Sequence, residues 1–463
     1  MIPLTADEIA DCTEGILIKG QSDAMVHGVS IDSRARCIDS LFIPLKGKRD
    51  GHEFIPNALR AGASGFLVES KVRNKFADFA GPQFVIEVKD CLKALQNIAR
   101  YYRTKLSAKV IGITGSTGKT TTKDMLNCVL SQKFRVVSTD RNYNNEIGVP
   151  LTIFRADNKT QVLIVEMAMR GIGQIKELAE IVKPNIGVLT NIGQAHLELL
   201  GSEEQIARAK AELIESIPEN GLVVLNADDL WTPNIATYAS ARTVTYGIAG
   251  GDIRGTEIDV DELGRASFRL NTGGKVAYVV RLAVPGRHNV YNALAVSAVA
   301  IQLGLTADDI RIGLSNCRPS SMRMEIFSTG DNVIILNDTY NANPTSMQAA
   351  LSTLKDIPTQ GRHIAVLGDM LELGKISGEA HRQIGEIVAS LGINILVSVG
   401  VESQIMAESA IKSGMNPKMV ITCKDAETAA HLLKQLVMPG DVVLAKASRG
   451  IGLEVVVKAL VKI

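Results

Sequence analysis

From Val110 onward the chain repeats short apolar runs, VIGIT, RVVST, VLIVE, IGVLT, LVVLN and TVTYG, with segments of helical spacing between several of them. Alternation of this kind predicts a largely parallel sheet with helices packed on it. The segment TTKDMLNCVL directs Met125, Leu126, Val129 and Leu130 to one side of a helix. The more polar stretch GTEIDVDELGRASFRLNTGGKVAYVVRLAV reads as hairpin-type β structure placed before a helix, NVYNALAVSAVAIQLG. After RPSSMRMEIF the runs VIILND, HIAVLGD, NILVSVG, MVITC and DVVLAKAS recur between helical segments and predict another α/β unit. Before residue 85, SLFIPL and GFLVES flank a helix-like NALRAGA, and QFVIEVKDCLKALQNIARYYRTKLS adds a strand and an amphipathic helix with Leu92, Leu95, Ile98 and Ala99 on one side.

The predicted fold is α/β in three domains: a small N-terminal domain over 1–85, a central P-loop parallel-sheet domain over 86–318 with a linking helix region at 86–105, and a Rossmann-like C-terminal domain over 319–463. A length of 463 residues agrees with about three domains.

Charge narrows the partners. Lys and Arg total 50 against 49 Asp and Glu, with no run of one sign, so nothing suggests a nucleic-acid groove or an anionic membrane surface. No apolar run approaches the ~18 residues of a membrane span, and MIPLTADEIADC has acids where a secretory leader needs basic residues. Cys12, Cys37, Cys91, Cys128, Cys317 and Cys423 lie far apart without CxxC or metal-finger spacing and read as reduced thiols. A cytoplasmic, monomeric protein acting on small molecules is expected.

The chemistry concentrates at Lys109–Leu126, KVIGITGSTGKTTTKDML. Gly115, Ser116, Thr117, Gly118, Lys119, Thr120 and Thr121 follow a buried-type strand and open a helix. Glycines there let backbone N–H groups face phosphate oxygens, Lys119 can reach the terminal phosphates, and Thr120 can offer a hydroxyl to magnesium. The strict pattern wants glycine at position 113, where Ile113 stands between Gly112 and Gly115, so the loop is a variant. Gly450 and Gly452 with Val455, and Gly171 and Gly173 with Lys176, fail the dinucleotide pattern, which excludes a nicotinamide or flavin site.

Ligands of open α/β sheets gather at the carboxyl ends of strands. That rule singles out Glu166, which ends VLIVE, and His196, just past IGVLT in NIGQAHLE. A carboxylate suits magnesium, whereas histidine is a less usual ligand for so hard an ion; His196 is equally readable as an ordinary loop or core residue. In SEEQIARAKAELIESIP, Ser202 caps a helix in a capping box with Gln205, and Ile206, Ala209, Leu213 and Ile217 make its apolar side. Lys210 shares that side. If desolvated its amine is neutral and nucleophilic; otherwise its stem packs and its head reaches water.

TGSTGKTTT, NYNNEIGVPLT, VEMAMRGIGQI, NIGQAHLE, ARAKAELI, NADD, PGRHNVYNALA, MRMEI, NDTYNANPTSM and LGDMLELG together resemble the Mur ligases of bacterial cell-wall synthesis, and VSIDSRARCIDSLFIPLKGKRDGHEFIPNALRAGA extends the resemblance toward the N-terminus. YNANPTSM with LGDMLELG is similar to the branch that joins D-Ala-D-Ala to a UDP-N-acetylmuramoyl-tripeptide.

The resemblance implies ATP and two magnesium ions. Glu166 and His196 would lie on the metal, and Lys210 would be carbamylated and join the metal site. It implies that Asn292 touches adenine, and that Arg323 and Asp338 reach phosphate and ribose. Ser33, Arg34, Lys46, Gly47, Asp50 and His52 would hold the nucleotide-sugar. Asn142, Asn144 and Asn145, with Arg170 near them, would face the muramoyl-peptide, and Tyr340, Asn341, Asn343 and Ser448 the dipeptide.

Ala168 for a usual glycine, Gln174 for a common glutamate, and Ala447 within a frequent KGS depart from the family pattern on the substrate side only. The rival readings are another Mur-type ligase, a folylpolyglutamate-type ligase, and a P-loop switch or motor. The chain lacks a DNPR-like motif, a GKGS loop and a guanine-type NKxD, respectively. Whether the tripeptide carries lysine or diaminopimelate is not encoded in any motif found.

Overall fold

Residues alternate strictly between two apolar faces in the C-terminal sheet. Ile335, Ile364, Val366, Ile395, Val397 and Val443 pack into one core layer. Leu336, Ala365, Leu367, Leu396, Val442 and Leu444 pack into the other. A sheet apolar on both faces must be covered on both, and this is why its strands read as continuous apolar runs. Its order is Glu325–Ser328, Ile334–Asn337, Val442–Lys446, His363–Gly368, Ile395–Val399, Val420–Cys423. All neighbours are parallel except the first pair, an antiparallel hairpin. The edge strand Glu325–Ser328 escapes the sequence reading because its pattern of partly buried residues carries no strong apolar run.

The computed structural model describes residues 1–76, 81–194, 197–273 and 277–461. By contacts the chain divides into two units, one of residues 1–112, 134–168 and 175–185, the other of residues 113–133, 169–174 and 186–463. The first unit contains a five-stranded sheet ordered Ile16–Gly20, Phe84–Val88, Ala63–Glu69, Ser40–Phe42, Gly28–Ser30. The helix Cys91–Thr104 buries Leu95, Ile98 and Ala99 as expected, with Cys91, Ala94 and Tyr102 beside them, whereas Leu92, expected on the same side, is only partly buried.

In the second unit the strands Ile186–Leu189, Leu222–Asn226 and Arg242–Gly247 run parallel. Ile253–Val260, Arg265–Asn271 and Tyr278–Pro285 follow as antiparallel neighbours, the β addition read from the polar stretch. The helix Asn289–Gln302 comes directly after it. Glu203–Glu215 forms the Lys210 helix, and Ser202 accepts a hydrogen bond from the Gln205 N–H. Only this half of the predicted capping box forms, so the Gln205 side chain is not needed at the helix start. All six cysteines are free thiols, four of them buried. Among the described residues no helix is long and apolar enough to cross a membrane.

Candidate active site

The strand Lys109–Thr114 ends in a turn, and the helix Lys119–Leu130 begins at Gly118 with φ +77°. A β-carbon at Gly118 would lie 2.5 Å from Asn292 Oδ1, and one at Gly115, φ +151°, would lie 1.8 Å from Thr190 Oγ1. Both positions therefore require glycine for conformation and for space.

The loop is held from outside. Asn191 accepts from the Thr117 N–H at 3.0 Å through Oδ1 and donates through Nδ2 to the Thr117 carbonyl at 3.2 Å. Thr190 Oγ1 donates to the same carbonyl at 2.6 Å. Ser116 Oγ donates to the Gly193 carbonyl and accepts from the Gly193 N–H. Asp229 in turn fixes this second loop, accepting from the Ile192 N–H at 2.7 Å and the Trp231 N–H at 2.9 Å. Such cross-bracing fixes the backbone of a loop at a helix N-terminus, the kind of position a polyphosphate occupies.

Two lysines meet at one carbonyl. Lys119 Nζ donates to Gly115 O at 2.6 Å, and Lys210 Nζ donates to the same oxygen at 3.0 Å. Lys210 is 1 % exposed. Burial first, and the charge of Lys119 second, hold its amine well below the ordinary lysine range. Of the two readings left open for Lys210, the desolvated amine is the one realised. Thr120 is buried in the first turn of the helix Lys119–Leu130. Asn292 lies beneath the loop, accepting from Thr122 Oγ1 at 3.2 Å and donating to Asn289 Oδ1 at 2.8 Å.

The C-terminal sheet gathers a second group at the carboxyl ends of its strands. Asp338 accepts from the Met324 N–H at 3.2 Å through Oδ1 and from Lys446 Nζ at 2.5 Å through Oδ2. Lys446 also donates to the Asn341 carbonyl at 2.9 Å. Ser448 Oγ accepts from the Leu371 N–H and donates to the Ala342 carbonyl, tying together NANP, DMLE and AKAS. The Asn343 side chain caps the helix Pro344–Asp356, accepting from the Ser346 N–H. The Arg323 guanidinium carbon lies 4.0 Å from the centroid of the Tyr340 ring.

Family models match residues 25–103 (Mur ligase family, catalytic domain), 113–300 (Mur ligase middle domain) and 322–449 (Mur ligase, glutamate ligase domain). A Bacillus subtilis (strain 168) protein named UDP-N-acetylmuramoyl-tripeptide--D-alanyl-D-alanine ligase is 37% identical, covering 100% of this chain and 99% of that protein. The chain belongs to the Mur ligase family. Among solved structures it is similar to MurF from Acinetobacter baumannii, with TM-score 0.89 and 30% identity over 100% of this chain and 99% of that one. It is similar also to MurF ligase from Thermotoga maritima in complex with ADP, with TM-score 0.81 and 30% identity over 94% and 97%.

In the first unit of this Mur ligase, Glu166 ends its strand fully buried, and its Oε1 accepts from Asn144 Nδ2 at 2.7 Å. Asn142 and Asn145 are exposed beside Asn144 in sequence, and Arg170 is exposed in the second unit. His52 is 3 % exposed. Its Nδ1 faces Asp50 Oδ1 at 2.7 Å, and its Nε2 accepts from the Glu69 N–H at 3.1 Å. Lys46 is paired with Glu69. Gly47 has open space where a β-carbon would stand. Arg34 is exposed and holds Asp32 through two bonds of 2.9 Å, with Ser33 partly buried between them. His196 lies outside the described residues.

Sequence reasoning missed Thr190, Asn191, Asp229 and Glu69. Each stands at or just beyond the end of an apolar strand, the position rule that had found Glu166.

The donor chemistry fits magnesium. In the second unit Thr120 supplies a hydroxyl and Lys210 a desolvated amine that would gain oxygen donors as a carbamate; in the first unit Glu166 supplies a buried carboxylate, and oxygen donors of these kinds suit so hard an ion. Among the described residues, no group of three or more His, Cys, Asp and Glu gathers as a metal cluster.

Proposed function

We propose that this Mur ligase joins D-Ala-D-Ala to UDP-N-acetylmuramoyl-tripeptide in the cytoplasm, as a monomer, at the expense of ATP. The observation that carries the reading is similarity along the whole chain to a ligase of that name, together with a braced phosphate loop whose lysine shares a carbonyl with the buried Lys210, whose amine is held well below the ordinary lysine range. Residues 1–85 would take the UDP end of the precursor, 86–318 the nucleotide, and 319–463 the dipeptide.

A carboxylate is a poor acyl donor because oxide is a poor leaving group. In the proposed reaction a carboxylate oxygen of the tripeptide attacks the γ-phosphorus of ATP, and ADP departs. The dipeptide amine then attacks the acyl carbon, the tetrahedral intermediate expels phosphate, and the amine proton passes to solvent. Lys119 stabilises charge on the transferring phosphoryl group, and the braced loop at the helix N-terminus holds the nucleotide in line. Magnesium, when bound, neutralises phosphate charge; Thr120, Glu166, His196 and a carbamylated Lys210 would hold it. Arg323 would reach the nucleotide phosphates and Asp338 the ribose.

The test is phosphate release by purified protein with ATP and magnesium. Release should require both UDP-muramoyl-tripeptide and D-Ala-D-Ala, and release that ignores either one defeats the reading. For the carbamate, ¹³C-labelled bicarbonate should give a carbamate resonance that disappears in Lys210→Ala, and short-chain carboxylic acids should restore activity to that variant. A spectrum identical in the two proteins rejects the carbamate.

A further inference from the structure

Arg323 is carried on an unusual turn. Met322 and Met324, on either side of it, both adopt left-handed backbone conformations, φ +62° and +51°, which unbranched non-glycine residues rarely enter. Side chains and backbone from the next hairpin hold the turn. Glu325 Oε2 accepts from the Met322 N–H at 3.2 Å and from Asn337 Nδ2 at 3.1 Å. Asp338 accepts from the Met324 N–H, and the Tyr340 N–H donates to the Met322 carbonyl at 3.2 Å. Over this frame the guanidinium rests 4.0 Å from the centre of the Tyr340 ring.

We propose that Tyr340 is a positioning residue for Arg323, its ring serving as the platform that aims the guanidinium at the ATP phosphates, and that it is not a contact for the dipeptide. The proposal rests on the reading of Arg323 as a nucleotide ligand. A long arginine side chain has several rotatable bonds, and a ring face restricts it while leaving all five N–H donors free for anions. Strain in the flanking residues has the same direction: the backbone is held where it would not rest by itself, and held in part by the segment after the strand Ile334–Asn337 that supplies Asp338 and Tyr340. The platform requires a ring and has no use for the hydroxyl.

The experiment measures phosphate release with the complete enzyme, varying ATP and D-Ala-D-Ala separately. Tyr340→Leu should raise KM for ATP by about three- to thirty-fold and leave KM for D-Ala-D-Ala within about twofold. Tyr340→Phe should keep both within about twofold of the parent, because the ring face persists.

Arg323→Ala tests the underlying reading: it should raise KM for ATP, and an unchanged value removes the nucleotide role of Arg323 and the proposal with it. If Tyr340 acts through Arg323, the double variant should be no worse than Arg323→Ala alone. Additive losses, or a Tyr340→Leu effect confined to KM for the dipeptide, overturn the platform while leaving Arg323 as a nucleotide ligand. Should Tyr340→Leu fold poorly, Tyr340→Trp replaces it in the comparison. A wider ring should hold KM for ATP at or below the parent value, and a rise above threefold counts against the platform.

Discussion

The phosphate loop and the Arg323 turn both place a cation at the end of parallel strands, and both need left-handed backbone to do so. The loop uses glycines, Gly115 and Gly118, at its two positive-φ positions. The Arg323 turn uses methionines at Met322 and Met324. Glycine enters that region without steric cost, so the loop needs only to be held in place, whereas the methionine turn must be held against its own preference. The bracing differs accordingly. Around the loop most partners are neutral, Thr190, Asn191 and Ser116 among them; around the turn they include Glu325 and the Asp338–Lys446 pair.

The largest effect should come from the loop's cation. Lys119→Ala should lower kcat/KM by about 10²–10³-fold, as expected where a preorganised charge stabilises phosphoryl transfer. Phosphate release at varied ATP, with tripeptide and dipeptide saturating, is the measurement, and a loss below tenfold would assign the charge stabilisation elsewhere.

Next in size is the contrast between the two backbones. Gly118→Ala forces a β-carbon to within 2.5 Å of Asn292 Oδ1 at φ +77° and should cost about 2–3 kcal/mol of stability. Met322→Gly relieves a left-handed residue but frees the unfolded chain, so its stability should stay within about 1 kcal/mol of the parent. Urea unfolding of the two variants gives the comparison. Equal losses would mean that the methionine turn is not strained.

A smaller effect should follow pH. His288 is only partly exposed, and burial, with Asp338 opposing and Lys446 adding to it, lowers its imidazole to about 4 from an ordinary 6.5. The unfolded chain therefore takes up a proton that the folded chain refuses. Stability from this group is complete above pH 6.5 and declines as pH falls toward 4, by about 1–2 kcal/mol once the residue's remaining exposure is discounted. Urea midpoints measured across that window should flatten in His288→Gln, and a parallel decline in the variant would move the effect to another group.

Much of this was readable in the chain. Parallel strands buried on both faces announce themselves as apolar runs, and the loop declares itself because its conformation requires glycine. Lys210 was half legible: its helix face was right, but only its full burial and the approach of Lys119 show that its amine is held well below the ordinary lysine range. The Arg323 turn left no trace, since methionine is no signal of positive φ. Nor did the bracing by Asn191, Asp229 and Asn292, whose bonds join residues tens or hundreds of positions apart. Asn292, implied by resemblance to touch adenine, is bonded through its carboxamide to Thr122 and Asn289.

The smallest expected effect separates local helix chemistry from the site it carries. Ser202 accepts from the Gln205 N–H at 3.2 Å and caps the Lys210 helix without the rest of a box. Ser202→Ala should cost about 1 kcal/mol, seen as faster hydrogen exchange in the first turn. Lys210 lies about two turns farther along the helix, among buried neighbours Ile206, Ala207, Ala211 and Ile214. A cap acts within the first turn, so packing and not the cap should fix the amine, and kcat should remain within about twofold. A tenfold loss would mean that Lys210 is held as weakly as the Arg323 turn is strained, and the contrast between the two regions would then lie in the sequence alone.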